Sequence, residues 1–325
     1  MNIGIIGFGF MGGVHLAAFK RVQGATVTAV ASRKRPNPNA PTTGNLAVES
    51  CGLPEDVHWH SDWRKLLLDP QIDAIDICLP TNLHKEVAVS ALERGKHVLC
   101  EKPMALDLRD CDEMLESADK SGRVLMIGHV LRFAYPYRYA ASFVSARGDA
   151  VKTCTMTRNT GYPQWSEWLS REESSGGAIL DLLIHDIDQA LMLFGDPHAV
   201  TAVNDGQIDT MRGRLRYEGG LEVRIEGGWR APEMPFSASF QIEANDAALI
   251  FEDGKLRLNR SDEEQIVDIP EHREYVEEMR HFVECCGMNS IPEKCLPTES
   301  ARAVRIANLL RASREQTGKV IFCGN

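Results

Sequence analysis

The chain contains no run of about 18 apolar residues, which is the length that a membrane-spanning helix requires. Its start has no basic segment and turns at once to strand-forming residues, so we expect no signal peptide and a cytoplasmic location. The chain also lacks an excess of positive charge. Its net charge is −10, which argues against nucleic acid or an anionic membrane as a partner.

Cys-x-x-Cys pairs are absent too, although the chain contains 9 cysteines. This absence argues against a zinc ribbon, and we expect no metal centre. Some of the cysteines lie within apolar, strand-like runs. That position is typical of reduced, buried thiols in a cytoplasmic protein.

The length and composition indicate a soluble globular protein with more than one core. The chain has 325 residues, of which 43% are hydrophobic and 25% are charged. A chain of this length usually divides into domains. We expect two, residues 1–130 and residues 131–325, with a closing helix at 299–313 that packs back towards the first domain.

A glycine-rich turn follows the first apolar run. Asn2 to Ile6 is followed directly by Gly7-Phe-Gly9-Phe10-Met11-Gly12 and then by a helical stretch. Gly7 permits a tight turn, Gly9 lets the backbone approach a pyrophosphate, and Gly12 allows close packing of helix on strand. This pattern predicts a dinucleotide on the helix N-terminus, although similar turns also join strands to helices for structural reasons alone.

Strands and helices alternate after this turn. The pattern predicts strands at 25–31, 72–79, 98–100 and 124–128, with helices at 83–94 and 108–121. Such alternation is typical of an α/β domain with a parallel, doubly wound sheet.

The end of the second predicted strand bears on the choice of cofactor. NAD enzymes usually have an acidic residue about 20 positions past the glycines, where it binds the ribose 2′-hydroxyl. Here that position is Ser32, and Arg33, Lys34 and Arg35 follow. A serine with basic neighbours suits a 2′-phosphate, so NADP is favoured and NAD remains possible. The alternative is a solvated basic loop without a ligand.

Two further segments contain residues suited to alcohol–carbonyl redox chemistry. In Gly176-Gly177…Asp181…His185 the carboxylate and the imidazole are four residues apart, which predicts one face of one helix. Upstream, Glu101-Lys102-Pro103 supplies a cation. Each has a structural alternative, because an Asp–His pair at this spacing is often a helix contact and a lysine before proline is often solvated.

These motifs occur in an order that resembles the Gfo/Idh/MocA oxidoreductases. The resemblance also rests on Leu79-Pro-Thr81-Asn82-Leu-His84, on Gly128-His129-Val-Leu-Arg132-Phe133 and on the closing helix. It implies an N-terminal Rossmann domain and a C-terminal α+β domain built on an open, mainly antiparallel sheet. Matching strands are predicted at 151–158, 200–205, 210–217, 221–229, 236–244 and 248–251.

The resemblance further implies a sugar, inositol or related polyol as substrate, and a homodimer or homotetramer paired through the open sheet. Two residues depart from the family pattern, since Ala178 and Leu183 replace usual glycines. Leu183 either narrows the space beside the nicotinamide or only repacks the helix.

We expect His185 to be the acid/base, Asp181 to orient it, and Lys102 to stabilise the developing alkoxide. The remaining candidates are implied by the family pattern or by position. For the cofactor they are Thr81, Asn82, His84 and Glu101; for the substrate they are Tyr162, Trp165, Trp168 and Arg158. Asn82 is alternatively a helix N-cap, and the aromatic residues are alternatively a packed core cluster.

Two other functions compete with the dehydrogenase. One is a non-catalytic sensor that binds a dinucleotide, a sugar and a partner protein. The other is a glycosidase of the same fold that oxidises its sugar transiently and regenerates NAD. Lys102 and His185 argue against the sensor, and the Ser32–Arg33 pair argues mildly against the glycosidase.

Overall fold

The computed structural model describes residues 1–38, 48–164, 166–206, 208–261, 263–271 and 273–324. The chain folds into two units. The first unit is Met1–Val130 with Arg273–Ala301, and the second is Leu131–His272 with Arg302–Asn325. The segment Arg273–Ala301, which was expected in the second domain, therefore groups with the first unit.

The first unit contains a six-stranded parallel sheet. Its strands are β1 Asn2–Ile6, β2 Thr26–Ala31, β3 His58–His60, β4 Ala74–Ile77, β5 His97–Glu101 and β6 Leu125–Gly128. They lie in the order β3-β2-β1-β4-β5-β6. Helices accompany these strands along the chain: α1 Phe10–Phe19, α2 Arg64–Leu68, α3 His84–Leu92 and α4 Leu108–Ser121. The predicted parallel α/β fold is confirmed.

Local chemistry explains these elements. The central strands are apolar on both faces, and Ile3, Ile5 and Ile75 are fully buried, as expected for a sheet that helices cover on both sides. Helix α4 begins where the Asp107 side chain accepts a hydrogen bond from the Asp110 N–H, and it ends at Gly122 in the left-handed conformation. Strand β3 was not predicted, because its 3 residues are too few to show a period.

The second unit contains a nine-stranded sheet. Its strands are β7 Val151–Gly161, β8 Ala199–Val203, β9 Asp209–Arg216, β10 Glu222–Arg230, β11 Ser237–Ala244, β12 Ala248–Glu252, β13 Lys255–Arg260, β14 Glu263–Val267 and β15 Ile321–Phe322. They lie in the order β14-β13-β12-β11-β7-β10-β9-β8-β15. Only β7 and β10 pair in parallel, so the mainly antiparallel sheet is confirmed. Strands β13, β14 and β15 were not predicted.

Four helices of the second unit precede or interrupt these strands: α5 Tyr135–Arg147, α6 Glu172–Ser175, α7 Gly177–Asp181 and α8 Ile184–Phe194. Helix α7 contacts β9 and β10, and α8 contacts β7 and β10. The sheet is apolar where these helices pack. In β9, Met211 and Leu215 are buried, whereas the alternate residues Arg212 and Arg214 are exposed.

Two helices close the chain, α9 Glu274–Met288 and α10 Pro297–Glu315. Helix α9 belongs to the first unit and packs against α1. None of the helices in the described ranges combines the length and the apolar character needed to cross a membrane.

Candidate active site

The turn between β1 and α1 has the geometry of a dinucleotide-binding loop. Gly7 has a φ of +96°, and a Cβ atom built there would lie 2.3 Å from the carbonyl oxygen of Cys78. A Cβ atom on Gly12 would lie 2.3 Å from the Gly7 carbonyl oxygen, so helix and turn are in close contact. The Cβ position of Gly9 has open space around it. Phe10 and Met11 are half-buried in the first turn of α1, which contains no acidic residue.

Ser32 directly follows β2, where the cofactor was predicted to be recognised. Its hydroxyl donates to the carbonyl oxygen of Lys34 (2.7 Å) and accepts from the indole Nε1–H of Trp59 (3.1 Å). Arg33 is exposed. Trp59 lies on β3, the strand that was not predicted, and no motif in the sequence indicated that its indole orients Ser32.

His84 connects two loops of the first unit. Its Nδ1 lies 2.9 Å from the carbonyl oxygen of Pro103, and its Nε2 lies 2.9 Å from that of Leu79. The side chain is buried, and burial lowers the pKa of the imidazole. Both ring nitrogens therefore contact the main chain, and His84 stabilises the Lys102-Pro103 turn. Its predicted cofactor contact stays a prediction.

The two neighbouring candidates after β4 differ in exposure. Thr81 is buried and Asn82 is exposed, both in a short 3₁₀ turn. Helix α3 has Leu83 as its N-cap, without a side-chain hydrogen bond. The alternative role of Asn82 as a helix N-cap is therefore wrong, and the cofactor contact stays a prediction.

Glu101 ends β5 and is buried. Its Oε2 accepts a hydrogen bond from the Lys102 N–H (3.1 Å), and its Oε1 lies 3.0 Å from Nε2 of His15. Burial alone would raise the pKa of the Glu101 carboxyl, but His15 and then Lys102 outweigh burial and lower it. Lys102 is half-buried beside this carboxylate.

His15 was not identified from the sequence. It lies on α1, is fully buried, and its Nδ1 is 2.9 Å from Asp76 Oδ2 and 3.4 Å from Cys78 Sγ. Burial lowers the pKa of the imidazole, but the Asp76 carboxylate outweighs it, so the pKa is raised well above its usual value. Polar residues within apolar segments were the available signal, as in Ala74–Ile77, where Asp76 is buried in a central strand.

In the second unit, Asp181 and His185 do not belong to one continuous helix, so that prediction is wrong. Helix α7 ends at Asp181 and α8 begins at Ile184. The N–H groups of Leu182 and Leu183 both donate to the carbonyl oxygen of Ala178 at 2.9 Å, so the bond from Leu183 spans five residues and widens the turn between the helices. Asp181 and His185 are both half-buried.

The glycine pair before Asp181 has a structural explanation. Gly177 has a φ of +71°, and a Cβ atom there would lie 2.8 Å from Oδ2 of Asp209. That oxygen accepts the Ala178 N–H at 2.7 Å, and Oδ1 of the same carboxylate accepts from Arg314 at 2.6 Å. Asp209 therefore caps the start of α7, a role that the sequence did not indicate.

The two departures from the family pattern are both buried. Ala178 packs in a cluster with Leu182 and Trp229, against which Tyr162 lies. Leu183 is 0% exposed. Burial of Leu183 favours repacking of the segment over narrowing of an open space beside a ligand.

Two buried ion pairs involve the aspartates that follow His185 in α8. The Arg158 guanidinium donates to both oxygens of Asp186 (2.8 and 3.0 Å) and to the Tyr137 hydroxyl (3.0 Å). Arg132 donates to both oxygens of Asp188 (2.9 and 2.6 Å). Arg158 is thus engaged within the protein, and its predicted substrate contact has no support.

The aromatic candidates have different positions. Tyr162 meets the Trp229 ring edge-on at 5.8 Å, and both line a cavity of about 500 Å³. Asn204, Asp209 and Arg314 also line this cavity. Trp168 is half-buried outside its lining, and Trp165 lies outside the described residues. Tyr162 therefore combines the two predicted roles, since it packs on a core cluster and also faces a cavity.

Comparison with known proteins supplies the family. Residues 1–129 match the oxidoreductase family with an NAD-binding Rossmann fold, and residues 148–255 match the Gfo/Idh/MocA C-terminal domain. Myo-inositol 2-dehydrogenase of Thermotoga maritima is 31% identical over 251 residues, which are 71% of this chain and 69% of that protein. Scyllo-inositol 2-dehydrogenase (NADP(+)) of Bacillus subtilis is 29% identical over 218 residues, 62% of this chain and 60% of that protein.

Among solved structures, levoglucosan dehydrogenase in complex with NADH has a TM-score of 0.82 at 20% identity, and the match covers 100% of this chain and 99% of that chain. At this identity the likeness shows the fold alone. The two sequence matches and the motifs carry the assignment further. The chain belongs to the Gfo/Idh/MocA oxidoreductase family.

Proposed function

We propose that this oxidoreductase transfers hydride between a nicotinamide dinucleotide and a secondary alcohol or carbonyl of a sugar, inositol or related polyol. One observation carries the proposal. The glycine turn follows β1 and Lys102 follows β5, so both lie at the carboxyl edge of the parallel sheet of the first unit. Ligands of doubly wound folds bind at this edge.

The residues of the turn suit a dinucleotide. The open space at Gly9 and the position of the turn at the N-terminus of α1 suit a pyrophosphate, since the dipole at a helix N-terminus favours an anion. The nicotinamide, when bound, accepts or donates the hydride. Gly7, Gly9, Phe10, Met11 and Gly12 are the proposed contacts.

Side chains of the protein are proposed to stabilise the charge on the substrate oxygen and to transfer the hydroxyl proton. Lys102 is proposed to lower the pKa of the substrate hydroxyl by its positive charge. His185 is proposed to take the hydroxyl proton during oxidation and to return it during reduction, with Asp181 orienting the ring.

NADP is the proposed cofactor. The exposed Arg33 is available to pair with a 2′-phosphate, whereas the Ser32 proton is donated to Lys34 and leaves only acceptor capacity on that hydroxyl. We therefore assign discrimination mainly to Arg33. Tryptophan-fluorescence titration with NADPH and NADH tests this assignment. Arg33→Ala is expected to abolish the preference, with the exposed Arg109→Ala as control. Equal affinities in the unmodified protein would contradict it.

The cavity beside Tyr162 supports the substrate class. An aromatic face, an amide, a carboxylate and a guanidinium are groups that bind the C–H surface and hydroxyls of a sugar. Tyr162→Ala is expected to raise the substrate KM while kcat changes little. An unchanged KM would remove Tyr162 from the substrate site.

The decisive test replaces Lys102 with Met and His185 with Gln, one at a time. Each change is expected to lower kcat by about 10²- to 10⁴-fold on a responsive polyol, with dinucleotide affinity retained. Lys120→Met and His198→Gln are matched controls on exposed positions. An unchanged kcat in either active-site variant would contradict the catalytic role proposed for the residue that was replaced. Dinucleotide binding without hydride exchange across a broad polyol panel would favour the sensor, and glycoside cleavage without net NADH would favour the glycosidase.

The predicted homodimer or homotetramer remains part of the proposal. Gel filtration with light scattering measures the subunit number directly, and a monomer would contradict it.

A further inference from the structure

A buried group of polar side chains lies behind the glycine turn of the first unit, and none of them takes part in the proposed reaction. We name it the His15 cluster; its members are His15, Asp76, Cys78, Glu101 and Glu278. They come from α1, β4, the residue after β4, β5 and α9. Four of the five are at most 7% exposed, and Cys78 is half-buried.

Contacts in the His15 cluster form a continuous chain. Asp76 lies 2.9 Å from Nδ1 of His15, and Glu101 lies 3.0 Å from Nε2 of the same ring. The second oxygen of Glu101 accepts the Lys102 main-chain N–H at 3.1 Å. The imidazole thus connects the central strand β4 to the residue proposed to act on the substrate hydroxyl.

The cluster contains more acid than base. Three carboxyl groups, those of Asp76, Glu101 and Glu278, lie near the His15 imidazole; the further titratable neighbours are Tyr275 and Glu274 of α9 and, around Glu101, Lys102 and His84. Neither oxygen of Glu278 has a hydrogen-bond partner among the described residues. Burial raises the pKa of the Glu278 carboxyl well above its usual value, with Glu101 adding to the effect.

These contacts favour a protonated ring. A neutral imidazole carries no charge to offset the two carboxylates, whereas an imidazolium offsets both: its Nδ1 is hydrogen-bonded to Asp76 at 2.9 Å, and its Nε2 lies at ion-pair distance, 3.0 Å, from Glu101 without hydrogen-bond geometry. Both contacts are shielded from water, which strengthens them. A neutral Glu278 leaves two anions, Asp76 and Glu101, beside the cations His15 and Lys102, a balance that the buried site can sustain more readily than three anions.

A metal ion is the competing occupant. The ligand atoms of His15, Asp76 and Cys78 lie within 4.8 Å of one another. A thiolate is needed for binding, however, and burial raises the pKa of the Cys78 thiol to about 12. The ring nitrogen that would bind the ion already lies against Asp76.

We propose that His15 is a positioning residue: as an imidazolium between Asp76 and Glu101, it fixes the Glu101 carboxylate and, through it, the main chain that presents Lys102. This inference rests on the proposed function for the role of Lys102. Deprotonation of His15 removes one of the two cations, with Lys102, that stabilise the Glu101 carboxylate, so turnover falls at alkaline pH.

The protonation state is tested without any turnover. In protein labelled with ¹⁵N-histidine, the two ring nitrogens of His15 are expected to resonate as a doubly protonated imidazolium at neutral pH, with the signal assigned by its loss in His15→Gln. His97 is an internal reference, because its Nδ1 accepts the Val124 N–H at 3.1 Å and must be unprotonated. A neutral His15 ring at neutral pH overturns the proposal, as does a stoichiometric divalent metal found by mass spectrometry in the purified protein.

The positioning role is tested by kinetics. His15→Gln is expected to lower kcat by about 10- to 100-fold while the dinucleotide Kd changes by less than about 3-fold, because a misplaced group affects the transition state more than binding. His97→Gln, on the same strand as Glu101, is expected to keep kcat within about 3-fold. Equal losses in both variants overturn the role.

A second variant keeps the ring in place. Asp76→Asn removes one anion, so the alkaline limb of the kcat–pH profile is expected to move to lower pH. This variant also serves if His15→Gln does not fold. An unmoved limb overturns the proposal. Absence of any turnover in the unmodified protein refutes the proposed function instead, and the labelled-histidine measurement then still decides the state of His15.

Discussion

Each unit has a buried charge cluster beside a residue proposed for catalysis, and the two clusters differ in balance. Beside His185, Arg158 faces Asp186 and Arg132 faces Asp188, each through two parallel hydrogen bonds and with side chains at most 4% exposed. In the first unit, one imidazole faces three carboxyl groups near Lys102.

The balance decides how each cluster responds to pH. A guanidinium stays charged at every ordinary pH, and the bidentate geometry fixes both partners, so the second unit has a rigid attachment for α8 whose cations stay charged. In the first unit, Asp76 raises the pKa of the His15 imidazole and burial raises the pKa of the Glu278 carboxyl, so both groups titrate above their usual ranges. Each cluster thus helps to position one side chain, His185 in the second unit and Lys102 in the first. In the second unit the acidic and basic groups are equal in number, and in the first unit the acidic groups are in excess.

The largest expected effect comes from breaking a matched pair. Arg158→Met leaves Asp186 as an uncompensated buried charge and removes a partner of Tyr137, so the free energy of unfolding is expected to fall by about 3–5 kcal/mol. Denaturant unfolding measures it, and the loss should be the same at neutral and alkaline pH. The double variant Arg158→Met with Asp186→Leu is expected to recover most of the loss; a double variant as unstable as the single one would contradict this account.

The second expected effect is a change of the free energy of unfolding with pH. The folded-state pKa of Glu278 is raised, so above about pH 4.3 the native state retains a proton that the unfolded state has released. Stability therefore falls as pH rises through the folded-state pKa, by up to about 1.4 kcal/mol per pH unit. Glu278→Gln keeps the neutral form and is expected to flatten this slope.

His15 acts in the same direction. Its folded-state pKa is raised, so its stabilisation is complete below about pH 6.5 and is lost as pH rises through the folded-state value. Glu278→Gln should therefore reduce the alkaline loss without abolishing it. Glu264→Gln, on the exposed strand β14, is the control and should leave the slope unchanged. A slope unaffected by Glu278→Gln would mean that Glu278 is ionised in the native state.

The third expected effect is intermediate in size, because Asp209 has an oppositely charged partner but is only partly buried. It pairs with Arg314, with side chains 21% and 18% exposed, and it caps the first turn of α7. Asp209→Asn keeps the shape and removes the charge, so a loss of about 1–2 kcal/mol is expected from thermal unfolding. A loss as large as that of Arg158→Met would show that the capping hydrogen bond, and not burial of the pair, dominates.

The fold was largely predictable, because it follows from short-range patterns. The glycine turn after β1 and the alternation of strands and helices depend on neighbours in sequence, and these predictions were confirmed. The break between α7 and α8 was not predictable in this way. Leu182 and Leu183 are apolar and continue a helical pattern, so nothing local marks the turn.

The buried partners of the candidate-site residues could not be predicted from the sequence, for a different reason. Arg132 and Asp188 are 56 residues apart, and His15 and Asp76 are 61 apart. Periodicity predicts which face of an element is buried, but it does not say which distant element supplies the partner. The arginine partners of Asp186 and Asp188 emerged only from the fold.

The smallest expected effect tests whether burial gives the matched pairs their strength. Arg302 and Asp196 are also matched, at 3.0 Å, but their side chains are 38% and 45% exposed. Arg302→Gln is expected to cost less than about 1 kcal/mol, because solvent screens the pair. In about 1 M salt the difference from the unmodified protein should vanish, since the screening length is then about 3 Å. A loss near that of Arg158→Met would mean that pairing geometry alone stabilises this unit, and the contrast between matched and unmatched clusters would no longer depend on burial.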